Sequence, residues 1–152
     1  MIKIVDGLPY IAEIKDMLVT YLQELKRNLS FQHIDDELQN PVEKYTAPNG
    51  EIIVAIQDQQ VLGMVAYYKF AENICEMKRL FVYNEFRHLA VGEMLVTEIM
   101  KRAKNAGYQQ MVLDTILPLQ PAIHLYKKFG FQECAPYYHN PMSDVIYMMK
   151  EL

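Results

Sequence analysis

The chain has 152 residues, of which 51% are hydrophobic and 22% are charged. This is the length of one domain, and the composition matches an ordinary globular protein, which excludes disorder as a description of the whole chain. With 15 basic and 19 acidic residues the net charge is −4. An acidic balance argues against general affinity for nucleic acid or for an anionic membrane, since both need a positive surface.

The sequence contains no sign of membrane insertion, secretion or metal binding. No apolar run approaches the roughly 18 residues of a transmembrane helix. The N-terminal segment 1–7 lacks the apolar stretch and cleavage site of a signal peptide, so a cytoplasmic location is expected. Cys75 and Cys134 lie far apart outside any CxxC pattern, and the histidines show no ligand spacing. We therefore predict neither a disulfide framework nor a metal site.

Hydrophobic periodicity and turn residues predict the elements in chain order. They are a strand at 2–5, helices at 11–25 and 35–39, strands at 51–56, 61–70 and 74–83, a helix at 91–106, a strand at 111–114, a helix at 121–129, and strands beginning at 131 and 145. The passage from 74 to 114 is long enough for a right-handed parallel crossover. The fold class is therefore α+β, with a largely antiparallel sheet and helices on its faces.

A first informative motif is Arg87-His88-Leu89-Ala90-Val91-Gly92, at a predicted strand-to-helix junction. Small residues at 90 and 92 let the backbone turn closely into the helix. Free N–H groups of the first helical turn, together with the helix dipole, form a site for an anion such as phosphate. Arg87 adds a fixed positive charge and a planar set of donors. By itself the motif is equally compatible with tight packing at a helix start.

A second motif is Ala122-Ile123-His124-Leu125-Tyr126-Lys127-Lys128-Phe129-Gly130-Phe131. Alone, it describes an amphipathic helix that ends at a glycine. Together with Arg87–Gly92, in this order and spacing, it resembles the GCN5-related N-acetyltransferase (GNAT) superfamily. The first motif matches Arg/Gln-x-x-Gly-x-Gly/Ala and the second matches Ala-x-x-Leu-Tyr-x-x-x-Gly-Phe. The later segment Pro136–Pro141 is similar to a bacterial subgroup whose substrates are mostly unassigned.

The resemblance covers essentially the whole chain and implies a single N-acetyltransferase domain over 1–152. It implies a six- to seven-stranded, mostly antiparallel sheet with about four helices and splayed central strands. It also implies transfer of an acetyl group from acetyl-CoA, the cosubstrate, to a primary amine of a small molecule or peptide by direct attack in a ternary complex. Exposed strand edges make a homodimer plausible, although no segment demands one.

The resemblance assigns roles to particular residues. Tyr126 is expected to protonate the departing thiolate, and Glu76, on the preceding strand, is the first choice for the base that deprotonates the amine. A backbone N–H near Leu80 is expected to stabilise the thioester oxygen. The expected cofactor-binding residues are Leu80, Phe81, Val82, Arg87, His88, Leu89, Ala90, Val91, Gly92, Glu93 and Tyr126. The alternative for Tyr126 is a plain core aromatic, and the alternative for Glu76 is a solvent-facing carboxylate.

Two departures from the family pattern concern the cofactor. Ala90 stands where the first glycine of the pyrophosphate loop is usual, and its methyl group matters if φ must be positive there. Leu119 stands where an Asn often contacts the cofactor arm. These departures leave open a catalytically silent acyl-CoA-binding module. A tRNA-directed toxin of the same superfamily is disfavoured by the net charge of −4, and a Rossmann enzyme by the absence of G-x-G-x-x-G.

Overall fold

Seven strands form one sheet in the computed structural model, which describes residues 1–152. They are β1 (Lys3–Asp6), β2 (Gly50–Gln57), β3 (Gln60–Ala71), β4 (Ile74–Val82), β5 (Gln110–Ile116), β6 (Gln132–Glu133) and β7 (Val145–Glu151). Their order across the sheet is β1-β2-β3-β4-β5-β7-β6, and only β4 and β5 run parallel. The predicted α+β class and mostly antiparallel sheet are confirmed.

Four α-helices flank the sheet: α1 (Ile11–Leu25), α2 (Ile34–Gln39), α3 (Val91–Asn105) and α4 (Gln120–Lys128). Short 3₁₀ turns precede α1, α2 and α3 at Leu8–Tyr10, Ser30–Gln32 and Asn84–Leu89. None of the helices has the length and apolarity needed to cross a membrane.

The predicted bounds of the elements lie close to the observed ones except at β5. This strand continues past Asp114 to Ile116 because its partner β7 extends the pairing to Val145. The predicted strand start at Phe131 is wrong by one residue, because Phe131 packs in the core and pairing begins at Gln132.

Apolar side chains fill the space on both faces of the sheet. On one face α3 contributes Val91, Leu95 and Ile99, and α4 contributes Tyr126, all packed against alternate residues of the central strands. On the other face α1 contributes Ile14, Met17 and Leu18 against β2 and β3. The helical three- and four-residue spacing and the strand alternation therefore place the two cores as the sequence pattern predicts.

The parallel pair β4 and β5 separates soon after it begins. Pairing joins Ile74–Glu76 to Gln110–Val112 and goes no further. Beyond that point β4 stays paired with β3 as far as Val82, and β5 stays paired with β7 as far as Ile116. The two strands therefore diverge, and the facing edges of 77–82 and 113–116 lack a strand partner.

A β-bulge in β4 lies at the point of divergence. Met64 pairs with Phe81 and Ala66 pairs with Lys78, so Arg79 and Leu80 together oppose Val65. Arg79 adopts a left-handed backbone conformation with φ of 61°, which costs a non-glycine residue about 1–2 kcal/mol. The extra residue brings the side chain of Arg79 to the α1 and α2 face of the sheet, where it meets Glu37 of α2.

A buried ion pair between Arg79 and Glu37 joins β4 to α2. Arg79 donates from Nε and Nη2 to the two carboxylate oxygens at 2.7 and 3.0 Å, and from Nη1 to Gln32 Oε1 at 2.8 Å. The Tyr45 hydroxyl donates to Glu37 Oε1 at 2.9 Å. Burial opposes ionisation of Glu37, but Arg79 and then Tyr45 outweigh it and hold the pKa of Glu37 below its usual value. The short helix α2 is thus attached to the sheet by charge as well as by packing.

We expect Arg79→Met to lower the free energy of unfolding by about 3–5 kcal/mol, because it leaves the Glu37 carboxylate buried without its cation. The double variant Arg79→Met/Glu37→Met should recover part of that loss. Urea denaturation followed by circular dichroism measures both. The control is Arg102→Met, which removes a partly exposed pair with Glu98 and Glu51 and should cost at most about 1 kcal/mol. Equal losses for Arg79→Met and Arg102→Met would contradict the assignment.

Candidate active site

The divergence of β4 and β5 opens a cleft of about 450 Å³ between α1, α3 and α4. Its volume is typical of a small-molecule site. The lining residues come from α1 (Tyr21, Glu24, Leu25), β4 (Leu80, Phe81, Val82), the start of α3 (Arg87, Ala90, Gly92, Glu93) and the start of α4 (Leu119, Pro121, Ala122, Leu125). One end of the cleft is therefore a helix N-terminus, and one wall is the unpaired edge of β4.

The start of α3 presents unpaired backbone donors. The first intrahelical bond runs from Met94 N to Ala90 O at 3.2 Å, so the N–H groups of Val91, Gly92 and Glu93 have no acceptor within the helix. Ala90, the residue before the helix, has φ of 60° and ψ of 23°. The methyl group that replaces the usual glycine therefore stands at a left-handed position, which is the unfavourable case of the two that the sequence left open.

Each of the two cations at this end of the cleft already has a carboxylate partner. Arg87 donates from Nε to Val82 O at 2.8 Å and from Nη2 to Glu24 Oε1 at 2.7 Å. Lys128 forms an ion pair with Glu93. The bond to Val82 holds the guanidinium beside the cleft. An anion that binds here would compete with Glu24 for Arg87.

The predicted cofactor-binding residues divide into three groups in the structure. The residues that line the cleft are Leu80, Phe81, Val82, Arg87, Ala90, Gly92 and Glu93. Tyr126 lies outside this cleft and lines the cavity beside it. The side chains of His88 and Leu89 are exposed, and that of Val91 is fully buried in the core. His88, Leu89 and Val91 can therefore contribute little more than backbone groups to this cleft.

A second, smaller cavity of about 90 Å³ adjoins the cleft. The residues common to both are Tyr21, Leu25, Leu80, Leu119 and Ala122. Polar groups enter the smaller cavity from β4 (Lys78, Arg79), from β5 (Asp114, Thr115), and from Gln32 and Asn140. The two spaces meet at the β4 bulge, so a ligand in one can touch a ligand in the other.

Tyr126 of α4 lies on the wall of the smaller cavity. Its hydroxyl makes no hydrogen bond within the chain, and no fully buried side-chain oxygen or nitrogen lacks a partner, so this oxygen faces the open space. Burial raises the pKa of Tyr126 above its usual value. The hydroxyl therefore keeps its proton at neutral pH and is available as a donor.

Glu76 lies on the α1 and α2 face of β4, but it does not line either space. Its carboxylate accepts a hydrogen bond from the Tyr137 hydroxyl at 2.6 Å and lies 3.6 Å from Lys78 Nζ. The solvent-facing alternative for Glu76 is wrong, since only 8% of the residue is exposed. The structure brings Tyr126 close to the predicted cleft residues. Glu76 contacts Lys78 but does not itself reach the open space.

Lys78 and Asp114 line the smaller cavity, although neither was among the residues predicted from the sequence. Asp114 accepts hydrogen bonds from the Tyr138 hydroxyl and from Asn140 Nδ2, the latter at 2.8 Å. A usable signal was present, because charged residues are rarely buried within apolar strands unless they have partners. Asp114 interrupts the apolar run of β5, and Lys78 follows Glu76 at the two-residue spacing of one strand face.

Comparison with known proteins shows the family to which this fold belongs. The profile of the acetyltransferase (GNAT) family matches residues 13–131. An uncharacterised N-acetyltransferase of Schizosaccharomyces pombe is 46% identical over 142 residues, which cover 92% of this chain and 87% of that protein. A GNAT-family acetyltransferase of Staphylococcus aureus Mu50 has the same fold, with a TM-score of 0.83 at 21% identity over 99% of each chain. A GNAT acetyltransferase of Elizabethkingia anophelis, solved with acetyl-CoA bound, covers 99% of this chain and 98% of its own, with a TM-score of 0.69 at 22% identity.

The chain therefore belongs to the GNAT family of acetyltransferases. The resemblance that the motifs at 87–92 and 122–131 indicated is confirmed. The splayed central strands that the resemblance implied are present as the divergence of β4 and β5.

We expect Ala90→Gly to raise the free energy of unfolding by about 1 kcal/mol, because glycine adopts the left-handed conformation without a Cβ clash. The same change removes a methyl group from the cleft wall. The control is Ala106→Gly at the C-cap of α3, where φ is −79° and glycine relieves no left-handed strain, so this variant should not be stabilised. Urea denaturation checks that only Ala90→Gly raises the free energy of unfolding. A loss of stability in Ala90→Gly would contradict the strain that we assign to Ala90.

Proposed function

We propose that this protein transfers an acetyl group from acetyl-CoA to a primary amine of a small molecule or peptide, by direct attack in a ternary complex. The observation that carries the proposal is that one cleft joins unpaired helix donors to an unpaired strand edge and then opens into a separate polar cavity. The cleft suits a long cosubstrate with a phosphorylated end. The cavity suits an amine that approaches from the other side.

The chain offers groups that fit each part of acetyl-CoA. The N–H groups at the start of α3, with Arg87, suit the pyrophosphate. The free edge of β4 at Leu80–Val82 can pair with the amides of the pantetheine arm as an added strand would. The bulge at Arg79 and Leu80 turns the backbone where this edge meets the smaller cavity, so an N–H near Leu80 is our proposed donor to the thioester oxygen.

Bound acetyl-CoA supplies a thioester whose C–S bond breaks as the amine nitrogen forms the new C–N bond. One proton must leave the nitrogen and one must reach the sulfur. Tyr126 is the proton donor that we propose, because its free hydroxyl faces the cavity in protonated form. Glu76 is the base that we propose; because it lines neither space, the proton of the amine has to reach it through a bridging water molecule.

An acyl-CoA-binding module without catalysis is the second candidate. Two observations favour it: the left-handed Ala90 in the pyrophosphate loop, and Leu119 at the start of α4, where no side-chain hydrogen bond caps the helix. Both weaken contacts to the cosubstrate relative to the family pattern. Release of free thiol in the presence of an amine distinguishes the two functions.

Acetyl-CoA should raise the melting temperature, because it binds only the folded chain. A ligand at 100 times its Kd stabilises the folded state by about 2.7 kcal/mol. This corresponds to a rise of several degrees in the melting temperature of a domain of this size. Differential scanning fluorimetry measures the rise, with adenosine as the control ligand. The absence of a rise at saturating acetyl-CoA would contradict both an acetyltransferase and a binding module.

We expect Tyr126→Phe to lower kcat for thiol release by about 10²–10⁴-fold, the usual contribution of a general acid. The rise in melting temperature with acetyl-CoA should persist, because the ring and its packing against Phe131 are retained. The control is Tyr108→Phe, a buried tyrosine of the core outside both spaces, which should leave kcat unchanged. An unchanged kcat in Tyr126→Phe would remove Tyr126 from the mechanism.

A further inference from the structure

The ammonium of Lys78 has no hydrogen-bond acceptor within the chain. Lys78 is only 9% exposed and lines the smaller cavity. Its one ionic partner is Glu76 Oε1, at 3.6 Å from Nζ, which is beyond hydrogen-bond distance. Burial lowers the pKa of Lys78 and the charge of Arg79 lowers it further, whereas the carboxylates of Glu76, Asp114 and Glu37 oppose these effects. No fully buried side-chain nitrogen lacks a partner, so Nζ reaches the open space of the cavity. Its N–H donors are therefore available to a ligand, and a carboxylate that binds there would favour the charged form of Lys78.

The carboxylate of Asp114 is held in the same cavity with one oxygen free. Oδ2 accepts hydrogen bonds from Tyr138 and Asn140, whereas Oδ1 accepts none from the chain. The Tyr147 hydroxyl fixes both donors, because it donates to Tyr138 O at 2.9 Å and accepts from Asn140 N at 3.2 Å. Asp114 is thus oriented by its neighbours, and its free oxygen can accept from a ligand.

The remaining charges near the cavity are satisfied by the chain. Arg79 is held by Glu37 and Gln32, and Glu76 by the Tyr137 hydroxyl and Lys78. The open volume is about 90 Å³, compared with about 450 Å³ for the adjoining cleft. The cavity therefore presents one unfilled cation and one unfilled anion to a ligand much smaller than one that fills the cleft.

We propose that the acceptor is a small amino acid, whose carboxylate binds Lys78 and whose amino group binds Asp114. This inference rests on the proposed function and names the substrate class of the same site. A simple alkylamine would leave Lys78 unfilled. A polyamine would bring a second ammonium toward Lys78, and like charges at close range repel strongly in a buried site.

The test compares amino acids with their amides, which have similar size but lack the negative charge. Acetyl-CoA is held at saturation, and thiol release is followed with glycine against glycinamide and with β-alanine against β-alaninamide. In at least one of these two pairs, kcat/KM for the amino acid should be at least tenfold higher than kcat/KM for its amide. Lys78→Met should raise KM for the acid at least tenfold and lower the ratio of kcat/KM between acid and amide at least tenfold. The exposed Lys101 of α3 supplies the control variant Lys101→Met, which should behave as wild type.

A binding measurement separates failure of this inference from failure of the proposed function. The melting temperature of the protein saturated with CoA should rise more with the amino acid than with its amide, and Lys78→Met should abolish that difference. Equal kcat/KM for acids and amides would overturn the amino-acid assignment while the acetyltransferase function stands. If none of the acceptors gives thiol release although acetyl-CoA raises the melting temperature, the proposed catalysis is overturned. The binding comparison would still decide whether Lys78 recognises a carboxylate. The wild-type comparison needs no variant, so it decides the question even if Lys78→Met folds poorly.

Discussion

Parallel pairing between β4 and β5 lasts only from Ile74 to Glu76, and every functional feature of this protein depends on where it ends. Had the ladder continued, the edge of β4 would be filled and the cleft between α1, α3 and α4 would not exist. Strand edges without a partner are usually a liability. Here the unpaired edge lies inside a cleft, where it is available to a ligand with amide groups but shielded from other chains.

The bulge at Arg79 lies where this divergence opens into the smaller cavity. One extra residue in β4 brings Arg79 onto the face that already carries Glu76 and Lys78. Such a concentration of charge inside a protein is tolerated only with partners. Arg79 is satisfied by Glu37 of α2 and by Gln32 of the preceding turn, and Arg79 and Gln32 both line the smaller cavity. The left-handed backbone of Arg79 is therefore maintained by contacts that also shape the site.

The charged side chains of the cleft and of the smaller cavity differ in whether they have partners within the chain. At the start of α3 the cations Arg87 and Lys128 are both paired with carboxylates, so binding of an anion there means exchange of partners. In the smaller cavity Lys78 and Asp114 keep groups without partners in the chain. The smaller cavity therefore carries the stronger information about its ligand, because groups without partners define the charge and hydrogen-bonding pattern that a ligand must supply.

The sequence alone determined the α+β class, the order of the elements and the family, because hydrophobic periodicity and the two motifs at 87–92 and 122–131 are local properties of the chain. It also identified half of the residues that line the cleft, including Arg87, Gly92 and the β4 segment from Leu80 to Val82. Tertiary structure decided what depends on distant residues: the left-handed state of Ala90, the hydrogen bond from Tyr137 to Glu76, and the position of Lys78 and Asp114 in one cavity. Those facts arise from strand register, the bulge and the loop at 137–140, which bring together side chains far apart in the sequence. No local pattern encodes such contacts, because each depends on how β3, β5 and β7 align with β4.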